Sequence, residues 1–430
     1  LPKHATGFAA CYIAPEELTP ELEDKAYETL QAKLTDAGFR LCNRGTLISS
    51  TKEDVAKVLS LPPISLKDEY VFIRKYWGTA WAMYAFLLRI LSFHNWFKES
   101  SAFFATKHIK KVNLFADPVN YPLYESFDSK LITEQPLIAV IIPTLNRYQY
   151  LKDVLHDLEK QHYKNFEVIV VDQSDNFDEK FYQQFSLRIQ LIRQQEKKLW
   201  TARNNAIKHT KAALLLFFDD DSRVEPDWIT EHVKCIDFFN AEISAGVSLA
   251  VTGQKISDSY NYFRWATQFD SGNAMVKRSV FATTGLFDEQ FNGMRMGDAE
   301  FGYRAYNHGF NSISNHKAPR VHLKVKEGGL REMGSWDGFR PTKWFAPKPV
   351  PSVLYLLKKY FSQSFYKNAV LLGIMLSNVS YKQKRSSNML MLSVVLTVIK
   401  SPLLYMQYRR SLHIAKQMLH NNYQPELLNE

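Results

Sequence analysis

AALLLFFDDDSRV (Ala212–Val224) is the stretch from which the rest of the chain can be read. Its apolar run, Ala213 to Phe218, stops at three consecutive acids, Asp219, Asp220 and Asp221. A run of that length bounded by polar residues suits a strand buried on both faces, although its periodicity also admits a helical segment. Acids at the carboxyl end of such a strand sit where open α/β sheets bind ligands. Carboxylates this close resist ionising together unless a cation neutralises them. Oxygen ligands of this kind suit Mg²⁺ or Mn²⁺, and Mg²⁺ commonly shares its shell with substrate phosphates.

Working outward, LIAVIIP (Leu137–Pro143) reads as a buried strand entering the loop Thr144–Arg147. Tyr150 to Gln161 has helical periodicity through Leu151, Val154, Leu155 and Leu158. FEVIVVD (Phe166–Asp172) and IQLIRQ (Ile189–Gln194) read as strands, and Trp200–His209 as a helix. Strands alternating with helices predict a doubly wound parallel sheet. No Gly-x-Gly-x-x-Gly and no Gly-Lys-Ser/Thr loop follows the first strand, which argues against a dinucleotide fingerprint and a P-loop. Downstream, FDSGNAMVKRSVF (Phe269–Phe281), GLFDEQF (Gly285–Phe291) and GDAEFGYRAYNHG (Gly297–Gly309) form a second polar cluster. In the last, Phe301 and Ala305 share a helical face, Asp298 and Glu300 lie in the first turn, and Gly309 ends the helix.

Taken in order, VIIPTLNR, VIVVDQSD, ARNNAI, LLFFDDD, SGNAMVKR, GLFDEQF and GDAEFGYR resemble glycosyltransferase family 2, from about Pro136 to His322. The resemblance implies a GT-A-type, Rossmann-like, mostly parallel α/β sheet flanked by helices, and typically inversion at the sugar carbon. It implies that Pro143, Thr144, Asn146 and Arg147 border the nucleotide, that Asp172 meets the base, and that Arg203 lies near base and phosphates. Asp219 and Asp221 form the family's DxD pair around Asp220 and hold Mn²⁺ or Mg²⁺ against the donor diphosphate, with His322 completing the shell; His316 is the weaker histidine. Gly272 and Asn273 lie near the transferring sugar. Asp298 takes the place of the catalytic base, with Glu300 as the alternative, while Asp288 and Glu289 hold their loop. Gly328, Gly329 and Arg331 read as a flexible loop with a phosphate-directed arginine.

The implied activity is transfer of one sugar from a nucleotide-diphosphate sugar, UDP-sugars favoured, to a hydroxyl of a glycan or lipid-linked acceptor in bacterial-type surface polysaccharide or glycoconjugate synthesis. Gln173 and Gly297 stand where the family often has acids. A Gln-x-x-Arg-Trp signature and a run of membrane spans are missing, which disfavours a processive synthase. A sugar nucleotidyltransferase would want a glycine-rich basic loop where TLNR stands. A glycan- or membrane-surface binding protein with a decayed site would bind neither Mn²⁺ nor UDP.

The chain is too long for one ordinary core. The expected division is an α+β accessory domain over 1–135, a catalytic domain over 136–340 and a helical tail over 341–430. In the first, Thr19–Pro20 begins a helix that Gly38 ends. FRLC (Phe39–Cys42) and TLIS (Thr46–Ser49) read as short strands, and Ser50 with Glu53 as a capping box for a helix through Leu59. Trp77–Trp96 reads as a buried or interfacial helix, with core packing favoured, and KHIKK (Lys107–Lys111) as a solvated turn. Three cysteines far apart, without metal-ligand spacing, point to a reducing compartment. No basic-then-apolar leader is read, so the expected location is the cytoplasm, at the inner face of a membrane. Twelve Lys and Arg against Glu426 and Glu430 after Pro341 give 12 − 2 = +10, the whole formal excess of the chain. Amphipathic helices in this basic tail either pack on the protein or make peripheral membrane contact. No nucleic-acid module is recognisable there, and nucleic acid is not expected as a partner.

Overall fold

The structure is a computed structural model that describes residues 13–48, 56–58, 60–330, 333–335, 337–341, 343–381, 383 and 387–428. It divides into two compact units, Lys3–Asn120 and Tyr121–Glu430, so the boundary falls before the expected 135 and the 341–430 region belongs to the second unit.

The first unit carries helices α1 (Leu30–Arg44), α2 (Leu66–Tyr76), α3 (Thr79–Leu91) and α4 (Trp96–Ala105) and no strand among its described residues. The α+β expectation is corrected to all-helical. Thr19 makes only a turn, its carbonyl accepting from Leu22 and Glu23. Thr29 is the working cap: its hydroxyl accepts from the Ala32 N–H and is itself anchored on Asp68, 2.7 Å away. The helix therefore runs past buried Gly38, takes in FRLC, and stops at Gly45, whose φ of 103° suits a residue without Cβ. TLIS is irregular as far as it is described, and Ser50, Glu53 and Leu59 lie outside the described residues. The Trp77–Trp96 helix is broken, because Ser92 ends α3 and the Asn95 side chain caps α4. Of α3 only Ala82 is buried, so core packing of this stretch is corrected as well. Cys42 is disulfide-bonded, contrary to a reading of the cysteines as reduced thiols, while Cys235 is a buried free thiol.

In the second unit, helices α5 (Lys130–Glu134), α6 (Tyr148–Glu159), α7 (Leu199–Lys208), α8 (Trp228–Phe238), α9 (Arg278–Thr284) and α10 (Gly297–Asn307) accompany nine strands. These are β1 (Ile138–Thr144), β2 (Phe166–Asp172), β3 (Ile189–Arg193), β4 (Leu214–Phe218), β5 (Ser222–Arg223), β6 (Ile243–Leu249), β7 (Arg264–Trp265), β8 (Asn273–Lys277) and β9 (Ser312–His322). Their order is β3-β2-β1-β4-β8-β6-β9-β5, with β7 against β9. β1, β2, β3 and β4 are parallel, but β8 runs antiparallel between β4 and β6, and β5 and β7 are antiparallel to β9. β6 pairs parallel with β9, so the sheet is mixed, with most of its paired register parallel.

β4 confirms the strand reading of the acidic stretch. Leu215 and Phe217 face one core, whereas Leu214, Leu216 and Phe218 face the other with α6 and α8, the two-residue period of a strand buried on both faces. The first core also takes in α11 (Pro351–Tyr360), α12 (Gln363–Leu376) and α14 (Ser401–His420) through Leu354, Tyr366 and Met418. Among the described helices of the basic region, α13 (Ser387–Ile399) is the one largely uncovered, exposing Met391, Val395, Val398 and Ile399.

The first unit is organised on a buried charge. Asp36 is fully buried and accepts from Tyr27 (2.8 Å), Tyr76 (2.6 Å), Arg40 (2.9 Å) and Lys75 (2.8 Å). Asp36→Ala leaves the Lys75 ammonium with Asp24 alone, 2.6 Å away, and strands the Tyr27 and Tyr76 hydroxyls, so denaturant unfolding should show this unit destabilised by about 3–5 kcal/mol.

Candidate functional site

β4 delivers Asp219, Asp220 and Asp221 to the sheet's carboxyl edge, and each takes a different partner. Asp219 accepts from Arg320 at 2.6 Å and from Arg203 at 3.2 Å. Burial opposes its ionisation, but the two guanidiniums outweigh that and hold the carboxyl well below the usual range. Asp220 accepts from the Thr144 hydroxyl at 2.8 Å and Arg147 at 2.9 Å, yet burial wins and pushes it up to about 6. Asp221 is buried; Oδ2 accepts from the Val325 N–H at 3.2 Å. Its Oδ1 has no hydrogen-bond partner and lies 3.2 Å from Nε2 of His322. That contact is close enough for an ion pair but is not aligned as a hydrogen bond.

His322 arrives because β5 pairs with β9, setting Ser222 opposite it. One ligand atom each from Asp219, Asp221 and His322 lie within 4.8 Å of one another. The orphaned buried Oδ1 and the imidazole nitrogen facing it fit a cation better than they fit each other. The charge balance agrees. Among the described residues, the guanidiniums that meet Asp219, Asp220, Asp221, Asp270 and Asp298 are those of Arg147, Arg203 and Arg320.

Asp298 stands in the first turn of α10, and its Oδ1 accepts the Ser271 N–H at 2.9 Å. Ser271 in turn offers its carbonyl to Arg203, which spans to Asp219, so the candidate base and the acids are joined through Ser271 and Arg203. Burial raises the Asp298 pKa, Arg203 opposes that, and the nearby Asp270 charge adds to it. Gly272 is required by contact: a Cβ there would lie 2.1 Å from Asp219 Oδ2 and 2.3 Å from Arg320.

Residues 139–300 match the model of Glycosyl transferase family 2. The chain carries a family 2 glycosyltransferase domain. It is similar to the glycosyltransferase AglE of Haloferax volcanii, 27% identical over 165 residues, 36% of this chain and 53% of that protein. It is also similar to the poly(ribitol-phosphate) beta-N-acetylglucosaminyltransferase TarS of Staphylococcus aureus, 26% identical over 28% of this chain and 22% of that one. The chain thus spans about half of the first relative and under a quarter of the second. Among solved structures, the mannosyltransferase PcManGT from Pyrobaculum calidifontis is 16% identical with a TM-score of 0.40, over 70% of this chain and 84% of that one.

Within the glycosyltransferase domain several expected contacts are displaced by burial. Asp172 is fully buried, and its oxygens accept from Tyr148 (2.5 Å), Tyr182 (2.8 Å) and the Ser174 N–H (2.8 Å), so it braces loops rather than facing a base. Pro143 is buried within β1. Asn273 cannot reach a sugar, because Trp228, His232 and the carbonyls of Val247 and Ala318 use its whole amide. Glu300 is buried against Arg304 (3.0 Å), Lys359 (3.2 Å) and Tyr360 (2.6 Å), which excludes it as the alternative base. Burial alone would raise its pKa, but Arg304 outweighs burial and lowers it.

The remaining expectations fall around the cluster. Asn146 is exposed at the rim, paired with Asp175. Gly328 and Gly329 are packed against Arg147 and tied to the Leu145 carbonyl rather than loose, and Arg331 lies outside the described residues. Asp288 and Glu289 hold Tyr355 and Thr201, and His316 packs on Phe263. The sequence reading missed Arg320, which bridges Asp219, Asp270, Ser222 and Ser248 from within β9. It also missed Asp270, whose carboxylate holds the Gly272 N–H. Arg320 lies in no motif, and Asp270 lies within the FDSGNAMVKRSVF stretch without having been singled out.

Gly272→Ala should displace the Asp219–Arg320 pair. Thermal and denaturant unfolding are expected to show a loss of about 1–3 kcal/mol, the usual cost of overpacking.

Proposed function

We propose that the protein is a metal-dependent inverting glycosyltransferase moving one sugar from a nucleoside diphosphate sugar to a hydroxyl of a glycan or lipid-linked acceptor. The observation that carries this reading is the orphaned Asp221 oxygen beside His322 and Asp219, joined through Arg203 and Ser271 to Asp298. Asp219, Asp221 and His322 would hold a divalent cation, whose Lewis acidity would neutralise charge on the departing diphosphate. Two carboxylates with one imidazole favour Mn²⁺ over Mg²⁺. Asn146 and Arg147 border the nucleotide. Asp298 takes the acceptor hydroxyl proton while that oxygen bonds to the sugar carbon and the carbon–phosphate oxygen bond breaks on the opposite face. Arg203 and Ser271 keep Asp298 in register with the acids.

A relative named poly(ribitol-phosphate) beta-N-acetylglucosaminyltransferase supports a role in surface polysaccharide or glycoconjugate synthesis. UDP-sugars are the donors to test first. No single described helix is long and apolar enough to cross a membrane. The uncovered face of α13, next to Lys400, supports peripheral contact with an anionic leaflet, which we take to be the inner face.

Asp221→Asn and His322→Ala should each weaken Mn²⁺ binding in calorimetry at least ten-fold; unchanged affinity in both removes the metal site. Asp298→Asn should slow sugar transfer about 10²–10⁴-fold, the usual contribution of a general base, while Mn²⁺ and nucleoside diphosphate binding persist. The base works deprotonated. Because its pKa is raised, kcat/KM should be full above that pKa and fall, as pH drops, at a higher pH than an ordinary aspartate would give. A pH–rate profile flat through the acid range would overturn the assignment.

A further inference from the structure

We propose that the tip of the α3–α4 hairpin, in the first unit, inserts into the headgroup region of an anionic lipid bilayer. The inference is independent of the catalytic reading and concerns a different element from α13. On α3, Met83, Leu87 and Leu91 recur every fourth residue, so they form one stripe, and all three are exposed. On α4, Phe97 and Phe104 are seven apart and likewise share an exposed face. The opposite faces supply the packing: Ala82, Ala102 and Phe103 bury against Tyr70 of α2.

The uncovered stripe sharpens toward the turn, where Leu91 is 76% exposed, Phe93 97% and Phe97 67%. Trp96 stacks on Phe97 with ring centroids 3.8 Å apart, and Phe93 stands in the left-handed region at φ 60°, which a bulky side chain rarely adopts. A contiguous apolar surface of this kind marks an interaction site.

Charge decides the occupant. Lys98, Lys107, Lys110 and Lys111 are exposed around the hairpin. The acid between them, Glu99, is buried and occupied by Tyr70 and Arg89. Aromatic rings at the tip with lysines behind them match a bilayer boundary, where Trp sits at headgroup depth and lysines meet anionic lipid. A second copy of this chain would bring the same lysines against each other.

The test uses the full chain with Phe93→Cys carrying an environment-sensitive thiol probe. Phosphatidylglycerol-containing vesicles should shift its emission to the blue, and pure phosphatidylcholine much less. Phe93→Ser with Phe97→Ser should weaken vesicle binding at least ten-fold while donor hydrolysis stays unchanged. No blue shift overturns the proposal even if the protein binds vesicles through α13. A shift that follows protein concentration without vesicles also overturns it, assigning the face to self-association.

Discussion

The site depends on a crowding of like charge at the end of a strand that has no room to move. β4 is buried on both faces, so the acids that follow it cannot spread apart by shifting the strand. Among the described residues, five carboxylates meet three guanidiniums there. Each arginine comes from a different element: Arg147 from the loop after β1, Arg203 from α7, Arg320 from β9. Electrostatic repair thus ties together segments far apart in sequence, and a buried charge partner removed from such a set leaves an uncompensated ion.

The division of labour among the three acids follows from where the arginines reach. Asp219 is pinned by two and stays ionised; Asp220 has one and a hydroxyl, and burial wins. Asp221 keeps a free oxygen because Arg147 approaches its other oxygen, at 3.3 Å. The acid with the greatest unmet demand is therefore the one facing His322. A cation there would relieve repulsion that the protein leaves standing.

Periodicity made the central strands and helices of the second unit legible, because α6 and β4 each bury a face that repeats in sequence. Order of motifs likewise led to Asp298 and to the Asp219–Asp221–His322 group. What failed was judging exposure. Asp172, Asn273 and Glu300 are polar residues at expected offsets, yet each is consumed by neighbours supplied from elsewhere: Tyr182, Trp228 and Tyr360. Hydrogen-bond demand is local, but the partner that meets it is tertiary, and a single sequence does not display it. The first unit misled for a related reason. Thr19–Pro20 has the letters of a helix start, whereas Thr29 has the partner, Asp68, that makes a cap hold.

In the basic C-terminal region, α11, α12 and α14 take the packing alternative that composition alone left open. The region's charge reads as a separable tail, but Tyr355, Lys359 and Tyr360 of α11 reach Asp288 and Glu300, acids of the loop and helix that carry Asp298. Glu300 lies two residues along α10 from Asp298, about a half-turn away, so the two carboxylates point in different directions. One face of α10 is locked by α11 while the other presents Asp298 to Ser271. Rigid support on the far side would keep a candidate base to within the roughly 0.5 Å that a catalytic constellation tolerates. Part of this basic region is thus, by contact, the backing of the candidate catalytic helix.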